Sequence, residues 1–358
     1  MMKCFSHGGN IKEMAERFGL KECNIIDFSS NVNPLGLPSS VRKVIRDNIK
    51  NIFRYPDPKS SDLKRVLGKY LKVSDENIIV GNGSTELIYQ IAYTFKPKVA
   101  LMVLPTFSEY EKALTTVGTK IEYLRLEEKD EFRISIKEIV KKIHGVNMVF
   151  LCNPNNPTGQ IVKREDMVLL LKKIETGKVI VVVDEAFIDL AEENSLIDLI
   201  LTNNLLVLRS MTKFFGLAGL RLGYVAGRRK FIENLENFRQ PWTVNVFAQM
   251  AGVALIQNEK FKKISKDMFL NERKFLYEQL CCIKGLRPYP SCANFILLKI
   301  DPTFSSTQLQ EYLLKRGILI RDCSNFRGLD DRFIRVAVRG RKENLRLIEE
   351  LSAVFMDR

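Results

Sequence analysis

Histidine, paired cysteines and long apolar runs are scarce in this chain of 358 residues. Its two histidines, His7 and His144, exclude a histidine-rich metal site. The seven cysteines are scattered without a C-x-x-C pair, so we expect neither structural zinc nor a disulfide framework. No apolar run approaches the roughly 20 residues that cross a bilayer, and the start MMKCFSHGGN lacks a secretory apolar stretch. These absences predict a soluble, cytoplasmic protein that binds neither metal nor membrane.

Acidic residues are in the minority, because 42 Asp and Glu face 56 Lys and Arg and leave a net charge of +14. The basic residues are spread along predicted helices rather than gathered in a block. We therefore expect most of this charge to be solvated surface, with a few arginines reserved for small anions, and we predict no nucleic-acid partner.

Short apolar runs alternate with amphipathic stretches between residues 59 and 250, which is typical of a doubly wound α/β sheet. These runs are rich in β-branched residues and show no polar alternation, which predicts mainly parallel strands covered on both faces. The predicted strands are residues 77–81, 98–103, 120–124, 147–152, 178–184, 205–210 and 223–227.

Three regions follow from this pattern. Residues 1–50 are predicted to form an N-terminal arm and a helix beginning near Ser39, which pack with the small domain. Residues 51–252 form the large domain. Residues 253–358 form a smaller α/β domain, in which a long helix over 253–280 precedes the strand-like runs NFILLKI, GILIRDC and RFIRVAVR.

Lys213 lies in the stretch SMTKFFGLAGLRLGY, next to Phe214 and Phe215. These apolar neighbours predict a mostly dry environment, in which a charged ammonium is costly. Desolvation favours the neutral amine, which can act as a nucleophile and form a Schiff base. The alternative interpretation is a lysine that is paired or reaches solvent with its end.

Several donors that suit an anion lie near predicted strand ends. Ser84 and Thr85 of GNGSTELI follow a strand and open a helix, where free amides can meet a phosphate. Ser210 and Thr212 offer hydroxyls beside Lys213, and Arg221 offers a bidentate guanidinium. GNGSTELI lacks the lysine of a P-loop and the third glycine of a dinucleotide motif, and a plain glycine turn with a capped helix stays open.

Asn156 and Asp184 follow two further predicted strands, in NPNNPTG and VVVDEAF. The amide of Asn156 can donate to a ring oxygen, although Asn-Pro turns are common without such a role. The carboxylate of Asp184 requires a cationic partner, which a protonated pyridine nitrogen would provide and which a helix cap or buried salt bridge would also explain.

Together, these motifs resemble the fold type I pyridoxal-phosphate enzymes of the aminotransferase class I and II family across essentially the whole chain. The resemblance implies pyridoxal 5'-phosphate as cofactor, a mixed but mainly parallel seven-stranded sheet in the large domain, and a homodimer with shared active sites. It assigns the Schiff-base lysine to Lys213, the partner of the pyridine nitrogen to Asp184, the donor to the ring oxygen to Asn156 and the stacked aromatic to Phe107 of PTFSEY. The implied cofactor-phosphate set is Ser84, Thr85, Ser210 and Arg221, with Tyr55 of RYPDP reaching the phosphate of the partner subunit's cofactor, and Thr212 is predicted as a further cofactor-binding residue.

One position departs from the family pattern, because Phe187 stands where aminotransferases usually carry a tyrosine that donates to the ring oxygen. Loss of this donor should weaken stabilisation of the ring phenolate. The phenylalanine, the start HGGN, the arm DFSSNVNPLG, and the segments RQPWTVNVFAQ and RDCSNFRGL resemble a branch of the family that decarboxylates O-phospho-L-threonine to (R)-1-aminopropan-2-ol phosphate in cobalamin biosynthesis.

This branch implies that the substrate carboxylate binds Arg335 near Asn156 and that the N-terminal arm folds over the site as a lid. The substrate phosphate would be bound by His7, Gly8, Asn31, Arg321 and Arg339. The main alternative is an aminotransferase that acts on histidinol phosphate or another amino acid with 2-oxoglutarate. A third reading is a regulator without turnover, but such proteins append a DNA-binding module for which no spare segment exists in this chain.

Overall fold

The computed structural model describes residues 7–174 and 179–356. No helix within these ranges is long and apolar enough to cross a membrane. Cys4 and the first residue of the strand predicted over 178–184 lie outside the described residues.

A large mixed sheet dominates the described residues, in the order β2-β8-β7-β6-β5-β3-β4. Strand β8 pairs antiparallel with both β2 and β7, and the other neighbours are parallel. All the strands predicted for the large domain are confirmed within two residues at each end. In chain order, the strands as far as the last strand of this sheet are β1 (Ile26–Asp27), β2 (Ile78–Asn82), β3 (Val99–Leu104), β4 (Lys120–Arg125), β5 (Met148–Cys152), β6 (Ile180–Asp184), β7 (Leu205–Ser210) and β8 (Leu222–Gly227).

Both faces of this sheet are buried, as the unbroken apolar runs predict. Successive residues of one strand enter different apolar clusters, because side chains alternate across the sheet. In β6, Val181 and Val183 belong to the larger cluster, and Val182 belongs to the cluster on the opposite face. Alternate burial of this kind fixes the register, so the strand ends meet at a defined edge.

The C-terminal strands form a separate antiparallel sheet in the order β12-β13-β10-β9, and β1 pairs in parallel with β11. The pairing of β1 joins the N-terminal segment to the C-terminal part of the chain. The domain bounds at residues 50 and 252 stay a prediction. The strands are β9 (Leu286–Pro288), β10 (Phe295–Ile300), β11 (Ile318–Leu319), β12 (Arg321–Asp322) and β13 (Phe333–Ala337).

The helix predicted over 253–280 is wrong in its bounds, because two helices meet there. The first ends at Ile256, and the Asn258 side chain accepts the Phe261 N–H at 2.9 Å and caps the second. The helix predicted near Ser39 is confirmed. The α-helices are α1 (Ile11–Phe18), α2 (Ser39–Asp47), α3 (Ser61–Leu71), α4 (Gly83–Phe95), α5 (Ser108–Thr116), α6 (Ile136–Lys141), α7 (Arg164–Ile174), α8 (Arg229–Asn237), α9 (Val246–Ile256), α10 (Glu259–Cys281), α11 (Ser306–Leu314) and α12 (Arg341–Met356).

Candidate active site

A cavity of about 440 Å³ lies between the carboxyl edge of the large sheet, the small sheet and the N-terminal segment. Strands β2, β5, β6 and β7 all end at this edge, which is where open α/β sheets bind ligands. Most of the residues predicted for the site line the cavity. They are His7, Gly8, Asn31, Ser84, Thr85, Phe107, Asn156, Asp184, Thr212, Lys213, Arg221, Arg321 and Arg335.

Lys213 follows the end of β7 and presents a half-buried side chain to the cavity. Its backbone carbonyl accepts N–H groups from Asn33 and Gly216, both at 3.1 Å, which fixes the turn. Burial lowers the pKa of the amine to about 8, and the positive charges of Arg335 and Arg221 add to this effect while Asp184 opposes it. The amine therefore loses its proton more readily than an ordinary lysine, as a nucleophile requires.

Asp184 is the last residue of β6 and is almost fully buried. The Tyr110 hydroxyl donates to Oδ2 at 2.6 Å, and the Ala186 N–H donates to Oδ1 at 2.9 Å. Burial raises the pKa of this carboxyl to about 6, against the lowering effect of both hydrogen bonds and of Lys213. A cationic ring nitrogen in the cavity would offset the desolvation of the ionised carboxylate.

Donors for an anion gather where α4 begins. Ser84 and Thr85 occupy its first turn, whose free amides favour negative charge. Gly83 has φ 79°, and a Cβ there would lie 2.7 Å from Nη2 of Arg221, so glycine permits the guanidinium to approach the helix start. This donor set fits the phosphate of pyridoxal phosphate, and the carboxylate of Asp184 fits its ring nitrogen.

Arg335 enters the cavity from β13 and is buried. Its Nη1 donates to Oδ1 of Asn156, and its Nη2 donates to the Ser29 carbonyl at 3.1 Å. The guanidinium carbon lies 4.9 Å from the centre of the Phe295 ring. Among the described residues, no acceptor binds its buried Nε, and burial lowers the pKa of the side chain to about 10. An anionic ligand in the cavity would offset the desolvation of the charged guanidinium.

We call the part of the cavity lining that comes from the small sheet and the N-terminal segment its second end; besides Arg335, it contains His7, Gly8, Asn31 and Arg321. Asn31 and Arg321 are both buried, and the Arg321 guanidinium lies 5.3 Å from the centre of the Phe326 ring. The Oδ1 atom of Asn31 has no hydrogen-bond partner within the described ranges. Two arginines, a histidine and an amide thus converge on one cavity from sequence positions far apart.

Three predicted site residues lie outside the cavity lining. Ser210 is buried behind Thr212, and their hydroxyl oxygens are 2.7 Å apart. Tyr55 is 81% exposed, and its ring centre lies 4.8 Å from that of Trp242. Arg339 donates to the Asp27 carbonyl at 2.9 Å and pairs with Glu343 rather than entering the cavity.

Phe187 does line the cavity, at the position where the family pattern has tyrosine. Its ring packs edge to face with Phe295, at 4.9 Å between ring centres. Arg335 contacts the same Phe295 ring. Phe187 therefore packs against the aromatic ring that holds the guanidinium in place.

Other residues of the cavity were missed by the sequence analysis. Tyr110 and Glu109 both belong to PTFSEY, whose pattern does not reveal that these two side chains turn inward. The missed lining residues are Ser29, Ser30, Glu109, Tyr110, Cys152, Ala186 and Phe326. Within residues 7–174 and 179–356, no group of three or more His, Cys, Asp or Glu side chains is placed to hold a metal ion.

Fold and site together define a fold type I pyridoxal-phosphate enzyme. The chain belongs to the family of aminotransferases of class I and II, whose model matches residues 24–351. Membership confirms the predicted fold class and pyridoxal phosphate as the cofactor.

Two relatives are named for the decarboxylation of threonine phosphate. The threonine-phosphate decarboxylase of Salmonella typhimurium is 36% identical over 98% of this chain and 96% of its own length. A protein of Caldanaerobacter subterraneus subsp. tengcongensis, whose name assigns the same activity provisionally, is 41% identical over 99% of this chain and 95% of its own. A solved histidinol-phosphate aminotransferase from Clostridium acetobutylicum is 33% identical, with a TM-score of 0.87 over 92% of this chain and 99% of that chain.

Proposed function

We propose that the protein decarboxylates O-phospho-L-threonine to (R)-1-aminopropan-2-ol phosphate, the reaction that the family resemblance places in cobalamin biosynthesis. The observation that carries the proposal is that one cavity is lined by Lys213 and Asp184 from the large sheet and by donors for anions from the small sheet and the N-terminal segment. Similarity to the two relatives named for this reaction supports it.

Pyridoxal phosphate, when bound, supplies a ring that withdraws electrons from the α-carbon of the substrate. Lys213 would hold the cofactor through Nζ and later return a proton at the same atom. Asp184 would keep the ring nitrogen protonated, with Tyr110 fixing the carboxylate through its Oδ2 atom. The donors at the start of α4 and Arg221 would bind the cofactor phosphate.

Arg335 binds the substrate carboxylate in this proposal. Asn156 and the Ser29 carbonyl orient its guanidinium at the cavity, where an incoming anion can bind it. His7, Asn31 and Arg321 then receive the substrate phosphate, since a dianion far from the reacting carbon requires several donors. Two anionic groups bound at separate points fix the orientation of the α-carbon, which selects the bond that breaks.

Release of carbon dioxide tests this function. Holoenzyme is incubated with O-phospho-L-threonine in the absence of any oxo-acid, and carbon dioxide and the aminoalcohol phosphate are measured. We expect stoichiometric release of both over many turnovers. A matched reaction contains histidinol phosphate and 2-oxoglutarate. Turnover that depends strictly on 2-oxoglutarate would contradict the proposal and establish an aminotransferase.

We propose further that the active enzyme is a homodimer with shared sites. Large apolar side chains are exposed in one short stretch of the chain, namely Ile52 at 71%, Phe53 at 74% and Tyr55 at 81%. Trp242 is exposed as well. A second copy would cover this surface and bring Tyr55 to its partner's cofactor phosphate. Sedimentation analysis should give a dimer, and Phe53→Glu should shift the population towards monomer. A wild-type monomer with full activity would contradict the shared site.

A further inference from the structure

Glu109 is a buried carboxylate in the cavity that the proposed function does not use. It is the second residue of α5, whose first amides favour a negative charge. Its Oε1 accepts hydrogen bonds from Nε2 of His7 at 2.8 Å and from Nζ of Lys112 at 2.7 Å. Its Oε2 accepts one from the Tyr89 hydroxyl at 2.9 Å. The carboxylate thus connects helix α5 with the N-terminal segment.

The segment that carries His7 is held at two points. A Cβ at position 8 would lie 2.2 Å from the Ser29 carbonyl oxygen, so only glycine allows this approach. The Gly9 N–H donates to the Ser29 hydroxyl at 2.8 Å. Because Ser29 holds the backbone and Glu109 holds the imidazole, the position of the His7 ring at the cavity is defined from both sides.

The contact with Glu109 determines which ring nitrogen of His7 meets a ligand. With Nε2 donating to the carboxylate, Nδ1 remains for the cavity, and no partner for Nδ1 is found across the described residues. The charged groups around the ring are Glu109, Lys112 and Arg321. Burial lowers the pKa of His7, the two cations add to this, and Glu109 opposes both. A dianion beside Nδ1 would raise the pKa of the imidazole and favour its protonation.

We propose that Glu109 is a positioning residue that holds His7 through Nε2, so that Nδ1 takes up a proton from solvent and donates to the substrate phosphate. The carboxylate also balances the charge that the imidazolium gains, as in other carboxylate and histidine pairs. This inference rests on the proposed function for the identity of the phosphate. It predicts that Glu109 acts on the affinity for phosphorylated ligands rather than on the chemical step.

Steady-state kinetics of Glu109→Gln test the role. Glutamine has nearly the same shape but lacks the charge, so KM for O-phospho-L-threonine should rise about 10-fold while kcat stays within about threefold. Tyr89→Phe is the matched control, because it removes the hydrogen bond to Oε2 and leaves the contact with His7. Its KM should stay within about twofold of wild type. An unchanged KM in Glu109→Gln, or an equal rise in Tyr89→Phe, would overturn the proposal.

Nuclear magnetic resonance of the wild-type holoenzyme gives a second test that does not depend on a variant that folds. The chain has two histidines, and exposed His144 serves as internal reference. Inorganic phosphate should raise the pKa of His7, so that its ring-proton signals move towards the protonated form at constant pH, while the signals of His144 stay in place. No response of His7 would overturn the role of Glu109. If His7 responds but no carbon dioxide is released from O-phospho-L-threonine, the proposed reaction fails and the Glu109 and His7 pair stands.

Discussion

The two ends of the cavity are assembled from different parts of the chain. Asp184 is the last residue of β6, and Lys213 follows the end of the neighbouring parallel strand β7. The register of the sheet alone therefore places both residues at the same edge. The other end depends on segments far apart in sequence, as shown by the contact between Arg335 and Ser29 across 306 residues. Substitutions at the first end should therefore remove the chemistry for every substrate. Substitutions at the second end should change which substrate is accepted.

Replacement of Lys213 by alanine should have the largest effect, because its amine is proposed both to attach the cofactor and to return the proton. We expect kcat to fall by about 10³-fold or more, and the yellow colour of the bound cofactor to be altered or lost. Lys213→Arg keeps the positive charge and serves as control for electrostatics alone. Release of carbon dioxide near the wild-type rate by either variant would show that another group does this work.

Asp184→Asn should rank second, with kcat reduced by about 100-fold because the ring nitrogen loses its carboxylate partner. The same change should stabilise the cofactor-free protein. The folded-state pKa of about 6 lies above the ordinary 3.8, so the stabilising contribution is present below pH 4 and is lost as pH rises through 6. The ionised carboxylate then destabilises the fold by up to about 3 kcal/mol.

Thermal unfolding of cofactor-free protein at about pH 5 and about pH 8 checks the second half of this prediction. The advantage of Asp184→Asn over wild type should be about half as large at the lower pH as at the higher pH. The opposite trend would mean that the cavity stabilises the charged form even without cofactor.

Arg335→Lys should come third and should distinguish the two anion sites. Lysine cannot reproduce the planar contacts to Asn156 and a carboxylate, so kcat/KM should fall about 100-fold for O-phospho-L-threonine. The matched change Arg321→Lys should weaken O-phospho-L-threonine but spare L-threonine as a slow substrate. Equal loss on both substrates in Arg321→Lys would contradict a division of the cavity into carboxylate and phosphate sites.

Arg339→Gln should have the smallest effect, within about threefold on KM. The family resemblance predicted this arginine among the phosphate donors, yet its guanidinium contacts Asp27 and Glu343. The same titration of O-phospho-L-threonine used for Arg321→Lys measures it. A rise in KM as large as that caused by Arg321→Lys would mean that Arg339 moves into the cavity when substrate binds.

The residues at the strand ends were predictable from sequence because a buried strand, its end and a polar residue follow one another directly. Asp184 and Lys213 are such cases. Tyr110 and Glu109 were not predictable. Whether side chains in the first turn of a helix point into a cavity depends on the surfaces that pack around that helix. The helix break at Asn258 was not predicted. The Asn258 side chain caps the second helix through a single local hydrogen bond, which competes with continuation of the first helix.

Arg335 and Arg339 show the same limit of prediction from sequence. Arg335 lies within β13 and enters the cavity, whereas Arg339 follows the strand and folds back onto the N-terminal segment. Their spacing in FIRVAVR does not separate these outcomes. Resemblance to the family supplied the role of Arg335, and tertiary packing determined that of Arg339.

A crystal structure of Lys213→Ala protein supplied with both pyridoxal phosphate and O-phospho-L-threonine tests the central claim most directly. We predict the substrate carboxylate on the guanidinium of Arg335 and the phosphate beside His7, Asn31 and Arg321. A ligand bound in the reverse orientation, with its phosphate on Arg335, would contradict the assignment of the substrate carboxylate to Arg335 on which the proposed reaction depends.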